Sequence, residues 1–294
     1  MAPLSVGLIL RWLVFVLLPS QVSPKLCALV VDSALSIQLT WKVTEQIKIT
    51  LTTMPIKVAV CQVPDIREDA ESSVKWISKF VIQAEEENVS LICFPECFLQ
   101  GYLTTEGSAR KNAINLSSVL FDKILGQLAK YKLMIVFGMI EEDTGSLFNT
   151  AVVIKDGRLI GKYRKTHLLD GETVFTGGTE YPVFEINDLK FGINICYDTQ
   201  FPEATAKLAK QGATLILCVS NTMMRYETAK KFKHLHLSMR SERVKEKKVW
   251  LLSSDVTGER EGRIAYGSTS AINPNGKIVG QVPFMETGMV VVEI

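Results

Sequence analysis

The strongest constraint on the fold is a pattern that the chain uses twice. Short apolar runs alternate with segments whose apolar residues recur at helical spacing. In the first half Ile56–Gln62 reads as a strand. Asp69–Glu86 follows as a helix with Val74, Ile77, Phe80, Val81 and Ala84 on one face. Ser90–Phe94 is a strand, Ser117–Lys130 a helix and Lys132–Met139 a strand. Phe148–Ile154 and Leu159–Tyr163 flank Asp156-Gly157, a hairpin signal. The plan then recurs: Leu189–Cys196 strand, Pro202–Lys210 helix stopped by Gly212, Thr214–Val219 strand, Tyr226–Glu246 helix, Val249–Ser253 strand. A hairpin around Pro274-Asn275-Gly276 joins Ser268–Asn273 to Lys277–Gln281, and Met289–Ile294 closes the chain as a strand. Runs that are apolar throughout belong to strands buried on both faces, which helices must cover. The pattern predicts two similar α/β halves, with strands in two sheets and helices outside. A single doubly wound sheet satisfies the same pattern.

Of 294 residues, 47% are hydrophobic and 22% charged, enough apolar material for a large core. Formal net charge is +2, which argues for neither nucleic acid nor an acidic surface as partner. The lysines between Lys230 and Lys248 interleave with Phe232, Leu235, Met239 and Val244 at helical spacing, so they read as a solvated helix face. Six cysteines, at 27, 61, 93, 97, 196 and 218, lack the paired spacing of a disulfide framework or a zinc ribbon. A reducing, cytoplasmic setting is the simpler expectation. The three histidines, His167, His234 and His236, form no cluster with carboxylates, and no metal site is expected.

Residues 1–54 stand apart. The apolar run Gly7–Leu18 is interrupted by Arg11 and closed by Pro19. It is short for a bilayer span and has neither a preceding basic residue nor a clear cleavage site. The segment is expected to be an extension, or a misplaced start, with the folded domain covering residues 55–294. The rival is a secretion signal or membrane anchor through residues 4–20. Asn88-Val89-Ser90 and Asn115-Leu116-Ser117 match glycosylation sequons, a pattern that recurs by chance.

Three short segments carry the chemistry. Cys196 ends a strand and is followed by the turn Tyr197-Asp198-Thr199-Gln200 and the helix start Phe201-Pro202-Glu203-Ala204. Such an elbow holds a side chain at the sheet edge, near the positive end of a helix, where thiolate is favoured. A buried cysteine acting as a small hydrophobe is the alternative. Leu91-Ile92-Cys93-Phe94-Pro95-Glu96 places a carboxylate at a strand end, where α/β proteins gather functional groups; a surface glutamate would read the same. Gly161-Lys162-Tyr163-Arg164-Lys165-Thr166-His167-Leu168 leaves a strand with three basic residues, one of which could turn inward, although lysines also protect strand edges.

Together the three segments resemble the nitrilase superfamily of carbon–nitrogen hydrolases over about residues 56–294. Glu96 of Phe94-Pro95-Glu96 matches the general base, Lys165 the catalytic lysine and Cys196 the nucleophile. Phe148-Asn149-Thr150 upstream of the lysine, and Gly267 with Asn273-Pro274-Asn275-Gly276 near the end, strengthen the match. The resemblance implies a four-layer αββα sandwich, a homodimer, and hydrolysis of a small amide or N-carbamoyl compound through a thioester, without metal or organic cofactor. It implies oxyanion stabilisation by Lys165 and the backbone N–H of Tyr197. It also implies a second glutamate after the lysine, for which Glu172 is the candidate, although Asp170-Gly171-Glu172 also reads as a turn. The pocket is expected near Tyr197 and the loop Asn221-Thr222-Met223-Met224, with Asn221 touching substrate and the methionines equally suited to packing. Gln200 stands where many members have Arg, and Glu246-Lys247 where many have Glu-Asn. Those departures bear on the elbow's support and subunit contact rather than on the triad. Nitrile hydrolysis, acyl transfer from the same thioester and a non-catalytic scaffold are the rival functions.

Overall fold

A computed structural model describes residues 55–294. The expectations placed on residues 1–54 lie outside the described residues.

The first half contains β1 (Lys57–Pro64), α1 (Ala70–Glu86), β2 (Leu91–Cys93), α2 (Glu106–Asn112), α3 (Val119–Leu128), β3 (Met134–Asp143), β4 (Ser146–Lys155) and β5 (Arg158–Arg164). The second contains β6 (Val183–Ile186), β7 (Leu189–Ile195), a 3-10 turn (Cys196–Gln200), α4 (Pro202–Lys210), β8 (Leu215–Val219), β9 (Met224–Arg225), α5 (Tyr226–Phe232), α6 (Leu235–Lys247) and β10 (Trp250–Arg260). The chain finishes with β11 (Arg263–Ala265), β12 (Ser270–Ile272), β13 (Ile278–Gln281) and β14 (Gly288–Glu293). Hydrogen bonding runs in the order β5-β4-β3-β2-β1-β10-β8-β7-β6.

The two halves meet along β1 and β10, which pair in parallel only at Gln62↔Asp255, Val63↔Val256 and Pro64↔Thr257. Away from that corner β1 pairs antiparallel with β14 and β10 with β12, so the halves separate into two layers. Side-chain parity shows the layering, because successive residues of a strand point to opposite faces. Val58 and Val60 of β1, Met134 and Val136 of β3, and Leu215 and Leu217 of β8 share one apolar cluster between the half-sheets. The alternate residues Ala59, Cys61, Ile135 and Phe137 pack instead on Ile77, Phe80 and Val81 of α1 and Phe121 and Ile124 of α3. Ile216, Cys218 and Leu251 pack on Leu208 of α4 and Val244 of α6. Helix, sheet, sheet and helix form the four expected layers. Each fully buried Val, Leu, Ile or Phe contributes about 1.5–3 kcal/mol, so the central cluster holds the two half-sheets together and the outer two hold the helices on them.

Local signals act as expected in several places. Asp156 (φ 50°) and Gly157 (φ 66°) form the two-residue turn between β4 and β5. Asp69 caps α1 by accepting from the Ser72 N–H at 2.9 Å. Gly212 (φ 95°) follows α4 where a left-handed residue is needed. Cys61, Cys93 and Cys218 are buried in strands. The lysines of Lys230–Lys248 are exposed apart from the half-buried Lys233.

Other expectations need correction. Tyr226–Glu246 is not one helix: it breaks at Lys233-His234 into α5, which packs on β11, and α6, which packs on α4 and β10. Two packing targets in different directions cannot be reached by one straight rod. The strand expected at Val249–Ser253 continues to Arg260, and its polar end pairs with β11. Helix α2 and strands β6, β9 and β11 escape the periodicity because each spans seven residues or fewer. Among the described residues no helix is long and apolar enough to cross a membrane.

Candidate active site

Glu96, Lys165, Cys196 and Asn221 each follow the end of a strand, β2, β5, β7 and β8 respectively. The parallel strands β2, β7 and β8 deliver theirs from carboxyl ends, where open α/β sheets expose their loops.

Glu96 sits in a turn pressed against β3. Gly138 makes the approach possible: a Cβ there would lie 2.5 Å from the Pro95 carbonyl oxygen and 2.7 Å from Glu96 Cα. Gln100 clamps the turn further, donating to the Ile140 carbonyl at 2.9 Å and accepting from the Ile140 N–H at 3.0 Å. The carboxylate of Glu96 accepts three hydrogen bonds and keeps acceptor capacity at Oε2. Oε1 accepts from Lys165 Nζ at 2.8 Å and Asn149 Nδ2 at 2.7 Å, and Oε2 accepts from the Asn221 N–H at 2.9 Å.

Lys165 leaves β5 with its backbone N–H bonded to the Asn149 carbonyl, which turns its side chain inward. Its Nζ also donates to Glu172 Oε1 at 2.8 Å. Glu172 accepts further bonds from Tyr102 Oη (2.8 Å), Asn149 Nδ2 (3.3 Å) and, at Oε2, the Leu169 N–H (2.7 Å). Glu96, Lys165 and Glu172 are each only 1% exposed, so neither surface alternative, a loop-capping glutamate or a strand-edge lysine, describes them. One ammonium is held between two carboxylates out of water, an arrangement in which losing the lysine leaves two buried carboxylates without a counter-charge.

Cys196 opens the 3-10 turn with φ 43°, a left-handed conformation that is costly for a residue with a side chain. Asp198, fully buried, holds that strained elbow. It accepts from the Ile195 N–H (2.9 Å), Tyr163 Oη (2.7 Å), Thr166 Oγ1 (2.9 Å) and the His167 N–H (2.9 Å). Those bonds fasten the cysteine elbow directly to the segment that carries Lys165.

The electrostatics correct one expectation. The thiol of Cys196 is not set to be thiolate at rest. Burial pushes it well up, the negative charge of Glu96 adds to this, and Lys165 opposes without prevailing. Glu96 itself is raised, first by burial and then by Glu172, against the lowering effect of Lys165. Burial works against the charge on Lys165, yet Glu96, Cys196 and Glu172 together hold its pKa above that of a free lysine. The resting site therefore pairs a protonated thiol with a nearby carboxylate that can receive its proton, and an ammonium fixed beside both.

Tyr197 is half-buried, with its ring edge-on to Phe201 at 5.1 Å. As the second residue of the turn it has one of the N–H groups that a helix start leaves without an internal partner. Asn221 serves the site through its backbone. Its side chain turns away, donating to Asp65 and accepting from the Met223 N–H. Among the described residues no group of three or more His, Cys, Asp or Glu is arranged to hold a metal ion.

The sequence model of the carbon-nitrogen hydrolases matches residues 57–294. The chain belongs to that family. It is 31% identical over 248 residues to an omega-amidase of Saccharomyces cerevisiae, covering 77% of this chain and 82% of that one. It is 30% identical over 244 residues to a nitrilase of Pyrococcus abyssi, covering 81% of this chain and 89% of that one. An amidase from Nesterenkonia sp. shares the fold with a TM-score of 0.70 at 22% identity, over 81% of this chain and 90% of that one. These matches identify a carbon–nitrogen hydrolase enzyme on a nitrilase-like fold.

Four residues of this carbon–nitrogen hydrolase receive no individual role from the sequence, although Asn149 and Asp198 lie inside its motifs. Asn149 and Tyr102 touch the glutamates, and Asp198 braces the elbow. The fourth, Arg240, lies in the helix read as a solvated charged face, yet is 2% exposed. It donates to Ser220, Ser253 and Ser268, tying α6 to the loop that follows β8. A signal for Arg240 existed: it falls between Leu237 and Val244, on the buried face of α6.

Proposed function

We propose that this hydrolase cleaves the carbon–nitrogen bond of a small amide or N-carbamoyl compound through a thioester on Cys196. The observation that carries the reading is Lys165 held at 2.8 Å from both Glu96 and Glu172, on the segment that Asp198 joins to the Cys196 elbow. The amidase names of several relatives support the amide as substrate.

Glu96 takes the proton of the Cys196 thiol as sulfur adds to the carbonyl carbon. Lys165 and the Tyr197 N–H receive the oxygen of the tetrahedral intermediate, and the fixed ammonium costs no reorganisation. Collapse breaks the carbon–nitrogen bond, and Glu96 returns its proton to the departing ammonia or amine. Glu96 next takes a proton from water as that water adds to the thioester. The carboxylic acid leaves and Cys196 regains its proton. Glu172 holds Lys165 in place throughout. The raised thiol fits this sequence, since the proton leaves only as the substrate arrives.

Intact-mass spectrometry during turnover of a panel of short amides and N-carbamoyl compounds tests the reading. An acyl adduct on Cys196 is expected, together with ammonia release, and Cys196→Ala loses both. Ammonia release that survives Cys196→Ala overturns the mechanism; release from nitriles but from no amide overturns the substrate class. The hydrolase domain is taken as residues 55–294, and self-association as a dimer is proposed from the resemblance; sedimentation of the purified chain tests the latter.

A further inference from the structure

Tyr102 lies in no motif of the catalytic triad, yet its hydroxyl enters the site. The loop from Glu96 to Tyr102 is rigid: Gly101 (φ 91°) lies so close to Arg67 that a Cβ would be 2.7 Å from Arg67 Cα, and Gln100 is bonded twice to Ile140. Tyr102 Oη lies 2.8 Å from Glu172 Oε1. That oxygen is also met by Lys165 Nζ and Asn149 Nδ2, so every neighbour of it is a donor and the phenol commits its one proton there. Burial, then the charges of Glu96 and Glu172, push the phenol far above its ordinary pKa, so it remains a phenol. Among the described residues Oη has no other hydrogen-bond partner, and Tyr102 is only half-buried.

We infer that Tyr102 Oη is the acceptor for an N–H of the scissile amide, and so a residue that makes the site select amides over acyl compounds lacking an N–H. The inference rests on the proposed amide reaction. A phenol whose proton is spent on a carboxylate offers only lone pairs. When the substrate oxygen meets Lys165, the nitrogen of the same planar amide falls beside the neighbours of Lys165. Glu172 Oε1 already receives three donors, whereas the lone pairs of Tyr102 Oη, like the buried Asn149 Oδ1, receive none among the described residues. A nitrile or an ester brings no N–H and leaves that acceptor unpaired, a loss that a buried polar site registers strongly.

The test compares wild type and Tyr102→Phe on butyramide and on p-nitrophenyl butyrate, which share one acyl group. In Tyr102→Phe the Glu172 carboxylate keeps Lys165, Asn149 and the Leu169 N–H, so its position is retained. The ratio of kcat/KM for amide over ester should fall by about ten-fold, the loss of one hydrogen bond made to the reacting group. An equal fall on both substrates would mean that Tyr102 only supports Glu172, and an unchanged ratio would mean that it does not touch the amide; either overturns the inference. Wild type lacking any Cys196-dependent turnover would instead remove the proposed function beneath it.

Discussion

Lys165 Nζ and Glu96 Oε1 lie 2.8 Å apart although 69 residues separate them in the chain. Both are shut away from water, and Glu172 shares the same ammonium at the same distance. The charge on the lysine is what allows two carboxylates to occupy one dry space.

Replacing it tests that balance. Lys165→Ala should abolish turnover and destabilise the fold by about 3–5 kcal/mol near neutral pH, the usual penalty for breaking a buried ion pair. The loss should shrink as pH falls, because Glu96, already raised, takes up a proton and removes one unpaired charge. In wild type the raised Lys165 contributes stability that is fully present below 10.5 and is lost as pH rises through its folded value. Urea unfolding at several pH values measures both.

Glu96→Gln should separate reactivity of the thiol from catalysis. The variant loses its proton acceptor and turnover with it. It also loses the negative charge that helps push the Cys196 thiol up, while Lys165 remains. Alkylation of Cys196 by iodoacetamide near pH 7.5 should therefore be faster in the variant than in wild type, followed by mass spectrometry. Slower alkylation would contradict the assigned electrostatics.

The pH profile of wild type should carry the mark of Glu96. Turnover needs its carboxylate, so kcat/KM falls as pH drops through the Glu96 value, which burial and Glu172 hold above 4.5. An acid limb at or below that figure would argue against Glu96 as the base.

Two glycines give a matched pair. Gly138→Ala drives a methyl into Pro95 and Glu96 and should cost about 1–3 kcal/mol with a large fall in turnover, since backbone on both sides must shift. Gly126→Ala in α3 meets nothing within 4 Å and should stabilise by about 0.4–1 kcal/mol without affecting activity. Thermal unfolding and amide turnover distinguish the two.

Asp198→Asn should loosen the elbow. An amide nitrogen would replace one of two acceptors that together receive four donors, leaving buried donors unmatched at a cost of about 1–3 kcal/mol each. The melting midpoint should fall by about 5–10 °C for a domain of this size. Turnover should fall further than the loss of folded protein explains, because the strained φ of Cys196 depends on that carboxylate.

Several features were legible before any coordinates. Strands β1 to β4, β7 and β8 could be read from largely apolar runs, because a strand covered on both faces needs apolar residues at most positions, and β5 from the hairpin signal before it. The turn at Asp156-Gly157 follows from local backbone preference alone. The three reactive residues could be named because each sits in a short, ordered motif at a strand end. Residues such as Tyr102, Asn149, Asp198 and Arg240 could not be singled out so easily. A tyrosine, an amide or an arginine has no periodicity, and its partners lie far along the chain, as with Tyr102 and Glu172, 70 residues apart.

The linear order of residues thus determined where most strands and helices form, which depends on local pattern. It left the division of the strands into two sheets open, because a single sheet satisfies the same pattern. Its three short motifs named the reactive side chains through their resemblance to a family. Only the tertiary structure decided the state of those side chains. Removal from water pushes the Cys196 thiol and Glu96 up, and fixed neighbours keep Lys165 charged. Whether a thiol, a carboxylate and an ammonium are protonated depends on distance and burial, which exist only once the two half-sheets have closed on each other.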